Sequence, residues 1–408
     1  MTVVPGLLLP VLAGVFWVGS LLVVHTYVLF PWLLGRWARG RQQNADVWAP
    51  DASDLPAVDI LLAVHNEEGV IEEKIRSTFA TTYPLDRLRL LVGSDASADR
   101  TNALLEQLAR RHPQLHFVAL AQRQGKPGVV GDLGRLVTAP VLVLTDANVF
   151  FTPDTLYQLV KHFRQPRIGV VGGHILNPES QTAGISGQEK AYLARENQIK
   201  YQEGLVWGTA MGAFGGCFAV RRAAYHPAPA AFLVDDFYVT LAALRAGYLA
   251  IHELGAECSE DVSDHLPEEF RRKARIAAGN FQNLKEFRAL LWPPWRGVAF
   301  AFWSHKVLRW LTPWLLLGLL AATAGLVALG AGWVYRLALL GQLAGPALLL
   351  LDAALRRRGQ HWRGLRFITH FYSMNAALLL GAARYLRGAP AAVWRPTERF
   401  QRAQRGRQ

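Results

Sequence analysis

Val58-Asp59-Ile60-Leu61-Leu62-Ala63-Val64-His65-Asn66-Glu67-Glu68 is the stretch on which the reading of this chain turns. A nearly continuous apolar run, interrupted by Asp59, ends abruptly in polar residues. A strand with one wet face would alternate, so a run like this belongs in a sheet covered on both faces. Helical spacing then takes over across residues 68–81. The same alternation repeats outward: 88–92 reads as a strand, 100–111 as a helix, 115–120 as a strand and 141–144 as a fourth. Strands alternating with helices predict an α/β, mostly parallel, doubly wound sheet. In such sheets ligands bind beyond the carboxyl ends of the strands. The polar residues obey that rule, since His65-Asn66-Glu67-Glu68, Ser94-Asp95 and Asp146-Ala147-Asn148 each follow an apolar run directly. Farther along, the spacing predicts helices over 188–203, 233–244 and 270–291, with a glycine-rich stretch at 208–216.

The flanks are of a different kind. The chain has 408 residues, is 51% hydrophobic and only 18% charged, and contains 13 tryptophans. That leaves room for one large domain plus membrane segments. Pro5 to Leu34 is apolar throughout and exceeds the roughly 20 helical residues that cross a bilayer. It lacks the basic start of a signal peptide, and the arginines after it (Arg36, Arg39, Arg41) place the next segment in the cytoplasm. Residues 311–329 and 334–355 read as two further spans. Residues 292–310, with Trp295, Trp303, Trp310 and the cations His305, Lys306 and Arg309, read as an interfacial helix. Residues 365–382 are apolar enough to span, yet doing so would carry the following arginines outward, against the charge rule. The resulting plan is an anchor at 1–35, a soluble domain at 50–290, an interfacial helix at 291–310, membrane helices at 311–386 and a basic tail at 387–408.

The net charge of +13 has an uneven origin. Twelve arginines and a single acid, Glu398, lie from Arg356 onward, so the rest of the chain is nearly neutral. A basic tail beside anionic lipid accounts for the charge, and no nucleic-acid partner is expected. Cys217 and Cys258 form neither a disulfide framework nor a metal-ligand spacing. Buried reduced thiols suit a cytoplasmic domain.

Several clusters carry chemistry. A polar group at a strand end, such as His65-Asn66-Glu67, can hydrogen-bond a base and ribose, while Asn66 is equally a good helix cap. Asp95 can accept from a nucleoside, or the segment Asp95 to Asp99 can form an Asx turn. Lys126 supplies a point charge for phosphate, and Gly125 lets backbone come close. Asp235-Asp236 places two acids together, which raises the pKa of one of them, or simply sets acids at a helix start.

Taken in order, these clusters resemble the membrane-bound family 2 glycosyltransferases of GT-A (Rossmann-like) fold, the group that includes hyaluronan, poly-N-acetylglucosamine and cellulose synthases. The resemblance covers roughly residues 58–279. It implies inverting transfer of a sugar from a nucleotide sugar, UDP-linked, to a lipid-linked or membrane-associated glycan. On that likeness His65, Asn66, Glu67, Asp95, Lys126, Asp146, Arg272 and Arg275 hold the donor. Phe214, Gly215, Gly216 and Asp235 face the acceptor, and Asp236 is the general base. Mg2+ or Mn2+ would sit on Asp146 and Asn148. The likeness also implies an inner-membrane, multi-pass protein, with membrane lipid as a partner and the catalytic domain in the cytoplasm. Two positions depart from the family: Asn148 stands where a second acid is usual, and Ile276 where the processive synthases carry Trp. The first implies weaker metal binding, the second transfer of one or few sugars. A processive β-polysaccharide synthase is the alternative. A silent nucleotide-binding scaffold would lack acids, yet Asp95, Asp146 and Asp236 are present. A dinucleotide oxidoreductase would need G-x-G-x-x-G after the first strand, where Val64-His65-Asn66 stands.

Overall fold

The computed structural model describes residues 4–176, 186–260, 266–360 and 362–388. The chain enters through one long apolar helix, α1 (Leu8–Trp37). The four apolar runs follow as β1 (Val58–Val64), β2 (Leu88–Asp95), β3 (Leu115–Leu120) and β4 (Val141–Thr145). They pair in parallel in the order β3-β2-β1-β4, as the alternating pattern requires. The helices α2 (Ile71–Phe79), α3 (Thr101–Arg111) and α4 (Lys126–Arg135) connect them.

Beyond β4 the parallel expectation stops. β5 (Val149–Phe151), β6 (Ile168–Leu176), β7 (Cys217–Arg221) and β8 (Leu249–Glu260) extend the same sheet to eight strands, in the order β3-β2-β1-β4-β7-β6-β8-β5. β7 runs antiparallel to both β4 and β6, while β6 and β8 are parallel. The sheet is therefore mixed, with a parallel half and a second half that the sequence pattern did not reveal. The reason is local. β5 is three residues long, and β6 carries Gly172 and Gly173 in its middle, so neither shows a clear period.

Both faces of the sheet are covered. Ile60, Leu62 and Val64 face α2, α3 and the short α5 (Thr155–Val160) in one buried cluster. Leu61, Leu142 and Leu144 face α4 and α7 (Asp235–Arg245) in the other. Between β6 and β7 runs α6 (Ser186–Trp207), and after β8 comes α8 (Leu266–Glu286).

Three helices are long and apolar enough to cross a membrane: α1, α9 (Gly297–Ala328) and α10 (Trp333–Arg357). Residues 297–310, the larger part of the stretch read above as a separate interfacial helix, instead run without a break into the span. α9 is one helix of 32 residues. Its first half is packed against the soluble domain, with Phe302, Val307 and Trp310 joining the second sheet-face cluster. Trp295 is 76% exposed, whereas Trp310 is only 6% exposed. One tryptophan thus meets the surroundings, and the other belongs to the core. The ambiguous stretch 365–382 lies inside α11 (Arg363–Leu386), which packs along α8. Contact is close enough there that a Cβ on Gly381 would lie 2.4 Å from that of Ala277. Asp352 of α10 accepts from Thr369 of α11 at 2.8 Å and pairs with Arg356. The tail beyond residue 388 lies outside the described residues.

Candidate active site

The carboxyl ends of β1, β2 and β4 converge on a cavity of about 750 Å³. β2 delivers Asp95, 4% exposed, whose two oxygens accept from the backbone N–H groups of Gln124 (2.7 Å) and Gly125 (2.9 Å). Gly125 has a φ of 78°, a left-handed geometry that a side chain would strain, so this tight turn needs its glycine. Asp95 thereby fixes the turn that aims Lys126. His65 donates from Nδ1 to the Asp95 carbonyl at 2.7 Å, joining the ends of β1 and β2.

Asn66 does something different from its neighbours. Its φ is 55°, its Oδ1 accepts from Ala98 N–H at 2.8 Å, and its own N–H donates to Ser97 Oγ at 3.1 Å. It clamps two loops together, and the cavity wall is formed by His65 and Glu67 without it. Asn66 is not the cap of α2, which starts at Ile71 after Val70; its bonds reach instead to the loop after β2.

Lys126 starts α4 and is the charge centre of the cavity. Its Nζ lies 2.7 Å from Asp146 Oδ1 and 3.7 Å from Asp235 Oδ2. Burial opposes its charge, but Asp146 and then Asp235 more than offset that and hold the ammonium protonated well above the usual lysine range. Asp146 itself hangs at the end of β4, with its N–H bonded to Gly216 at 3.3 Å. Asn148 lies two residues on and also lines the cavity.

Asp235 and Asp236 open α7, where acids favour the positive end of the helix. Burial first, then the neighbouring Asp235, raise Asp236 to about 6, with Lys126 opposing. The glycine-rich loop lies against it. A Cβ on Gly215 would come within 3.0 Å of Asp236 Oδ2, and one on Gly216 within 2.6 Å of Val149. Any larger side chain in this loop would press on the acid or on the turn carrying Asp146. Phe214 lines the same wall, as do Arg272, Arg275 and Ile276 from α8. Arg275 donates to Leu233 O at 3.4 Å, and burial lowers its pKa. Arg272 lies 3.7 Å from Glu260.

The comparisons with known proteins now have a geometry to meet. The family described as glycosyl transferase family 2 matches residues 59–227, which hold β1 to β7. A beta-monoglucosyldiacylglycerol synthase of Synechocystis sp. is 31% identical over 125 residues, 30% of this chain and 26% of that protein. An N-acetylglucosaminyltransferase of Rhizobium meliloti is 25% identical over 246 residues, 56% of this chain and 57% of that one. The chain thus spans about a quarter of the first relative's length and just over half of the second's. A mannosyltransferase of Pyrobaculum calidifontis, solved with GDP-Man and Mn2+, superposes with a TM-score of 0.69 at 23% identity, covering 92% of this chain and 100% of that one. That likeness is one of fold, and it identifies the mixed sheet as GT-A.

The chain carries a family 2 glycosyltransferase domain.

In and around the cavity of this glycosyltransferase domain stand residues that no motif pointed to. Lys74 of α2 is fully buried and donates to Thr145 Oγ1 at 2.7 Å and to Val149 O, tethering both sides of the Asp146 turn. It occupies a core-face position beside Ile71, Ile75 and Thr78, and a lysine at such a position was its one legible signal. Lys200, on α6, lies 3.6 Å over the Phe214 ring. Glu196, also on α6, is 4% exposed and meets three cations of α9: His305 at 3.0 Å, Arg309 at 2.9 Å, and Lys306. Burial works against its charge, yet His305 and Lys306 hold Glu196 well below the usual carboxylate range. His305 also bonds Glu203 at 2.8 Å, and Glu203 accepts from Met211 N–H at 2.9 Å. The apolar helix α9 is thereby wired to the start of the glycine-rich loop. No local spacing announces a network spread over residues 100 positions apart. Trp310 of α9 also lines the cavity, so an aromatic wall exists although position 276 is Ile.

Proposed function

We propose that this domain transfers a sugar, with inversion, from a nucleotide sugar to a hydroxyl of a lipid-linked or membrane-associated acceptor. One observation carries the reading: a buried acid of raised pKa, Asp236, shares a cavity with a lysine–aspartate pair at the carboxyl ends of the strands. The donor lies over the β1, β2 and β4 ends, its phosphates near Lys126 and Arg275. His65, Glu67, Asp95 and Arg272 complete its wall, and Asn66 shapes the loop from behind. The acceptor lies on the side of Phe214, Gly215, Gly216 and Asp235. Asp236 takes the proton of the acceptor hydroxyl as its oxygen bonds to the anomeric carbon. The bond from that carbon to the nucleoside diphosphate breaks, and the diphosphate leaves. A base with a pKa of about 6 is ionised at neutral pH, as this role needs.

A divalent cation fits the donor side in a limited way. Among the described residues no group of three or more His, Cys, Asp or Glu converges as a protein cage. Asp146 and the side-chain oxygen of Asn148 both line the cavity, which is the donor set of a hard ion bound by one carboxylate and completed by substrate oxygens and water. Mg2+ or Mn2+ held there would offset charge on the departing diphosphate. Lys126, already paired with Asp146, supplies part of that charge from the protein itself.

We further place α1, α9 and α10 across the membrane with the domain on the cytoplasmic face, where Arg36, Arg39 and Arg41 lie. Ile276 supports transfer of one or few sugars over polymer synthesis. The test uses membranes containing the full chain, a panel of labelled UDP- and GDP-sugars, and sizing of the product. Label should enter a short, lipid-extractable product and disappear with Asp236→Asn. A long polymer would overturn the non-processive reading, and full activity in Asp236→Asn would overturn the base.

A further inference from the structure

The cavity has a second half that the chemistry above leaves unused. It continues past Asp236 to the apolar helices, walled by Tyr27 of α1, Trp310 of α9, and Phe367, Phe371 and Met374 of α11. Where the polar and apolar halves meet stands Lys200. It is 4% exposed, and its ammonium lies against the Phe214 ring with no hydrogen bond or ion pair among the described residues. Glu196, Asp236 and Glu203 act on it through space but none bonds it, so its ammonium keeps its donors for an anion that enters the cavity. Burial, then Lys306 nearby, lower it to about 8, which an anion beside it would reverse.

The surrounding charge points the same way. On this membrane-side wall the cavity is lined by Arg195, Lys200, Lys273, Lys306 and Arg309, against Glu196 alone among the carboxylates there. Glu196 is already engaged by Lys306, Arg309 and His305. On the donor side Glu67, Asp95, Asp146, Asp235 and Glu260 line the wall together with Arg123, Lys126, Arg272 and Arg275. Cations therefore stand on both sides of Asp236, and on the membrane side they face a single carboxylate that is already engaged.

Resting on the transferase reading above, we infer that the acceptor is a phosphate-bearing lipid: Lys200 holds the phosphate, the apolar corridor takes the chains, and the hydroxyl beside the phosphate is presented to Asp236. Phe214 sits between the two functions. It stacks under Lys200 and adjoins Gly215, which packs on Asp236. This places the phosphate a residue's width from the base, so the accepting hydroxyl is in the same head group.

The inference is tested on the full chain in a neutral detergent, by calorimetric titration with three probes. Dihexanoyl phosphatidylglycerol carries phosphate, hydroxyl and chains, dihexanoylglycerol lacks the phosphate, and glycerol 3-phosphate lacks the chains. Dihexanoyl phosphatidylglycerol should bind at least about tenfold more tightly than either of the others, as expected for one charge-assisted contact and one buried chain pair. Lys200→Met should bring it within about twofold of dihexanoylglycerol, and Lys200→Arg should restore most of the difference. Equal binding of the two lipids, or a preference that survives in Lys200→Met, would overturn the inference. Glycerol 3-phosphate binding as tightly as the lipid would do so too, since the ligand would then be a free phosphate ester. Nucleotide-sugar binding, measured in the same samples, separates the two claims. If it persists while the lipid preference is absent, this inference alone fails; if it is absent, the transferase reading fails.

Discussion

Asp59 and Asp95 in the parallel half are held in the opposite way from Asp236 and Lys200 in the mixed half. In the parallel half, Asp59 and Asp95 are buried and saturated. Asp59 makes two 2.7 Å contacts with Arg89 and accepts from Thr138 and Ala139, and Asp95 accepts from the 124–125 turn. Burial opposes the charge of Asp59, but the Arg89 bonds prevail and keep its pKa below the usual range. In the mixed half and its helices, Asp236 is held near 6 and Lys200 near 8, both pushed toward neutrality by burial. Saturated groups build a rigid frame, and under-paired groups are left to react or to bind. The difference separates a frame, which fixes the cavity wall at the β1, β2 and β4 ends, from the under-paired groups across the boundary at β4 and β7, on which the proposed chemistry rests.

The comparison can be broken most severely at Asp236. Asp236→Asn should lower transfer by about a thousandfold with nucleotide affinity and melting temperature unchanged, because general-base catalysis contributes on that order. Steady-state rates with binding measured alongside check this. The mirror experiment is Asp59→Asn. It should destabilise the domain by about 3 kcal/mol, as loss of one partner of a buried pair does, while surviving folded protein keeps its rate. Urea unfolding of the solubilised protein reads it. Lys126→Met lies between the two halves. It leaves Asp146 and Asp235 facing each other unneutralised, and donor affinity should fall about thirtyfold, from loss of about 2 kcal/mol of charged hydrogen bonding.

A pH series sharpens the contrast at smaller amplitude. Because the Asp236 pKa is raised, the ionised base is lost on acidification through about 6, and kcat/KM should fall about tenfold per pH unit below that and level off above it. In Asp236→Asn the inflection should vanish. The smallest effect is expected at the rim of the parallel half. Arg100, 81% exposed, pairs with Glu68 at 3.3 Å, and Arg100→Ala should change stability by less than about 0.5 kcal/mol, since exposed pairs contribute little.

Much of the frame was legible in the sequence for a specific reason. Strands buried on both faces need uninterrupted apolar residues, so β1 and β4 show themselves as bare hydropathy. Chain order then places their polar ends together, because parallel strands share one carboxyl edge. That is why Asp95, Lys126 and Asp146 could be read along with Asp235 and Asp236. The mixed half escaped because its strands are short, glycine-bearing or preceded by long helices, and their pairing is set by distant partners. Asn66 carried two readings from the start, and its φ and its bond to Ala98 give it a further task, joining the loops after β1 and β2.

By itself, then, the sequence determined the α/β plan, the donor-side edge, the acid pair at the start of α7 and the presence of apolar flanks. These are local properties, carried by periodicity and by residues that adjoin in the chain. The tertiary structure alone decided that α9 runs unbroken from the core into its apolar half. It alone set Glu196 among three basic residues, and Lys200 over Phe214 with no hydrogen bond or ion pair among the described residues. Such contacts join residues far apart in the chain, and no local spacing encodes them.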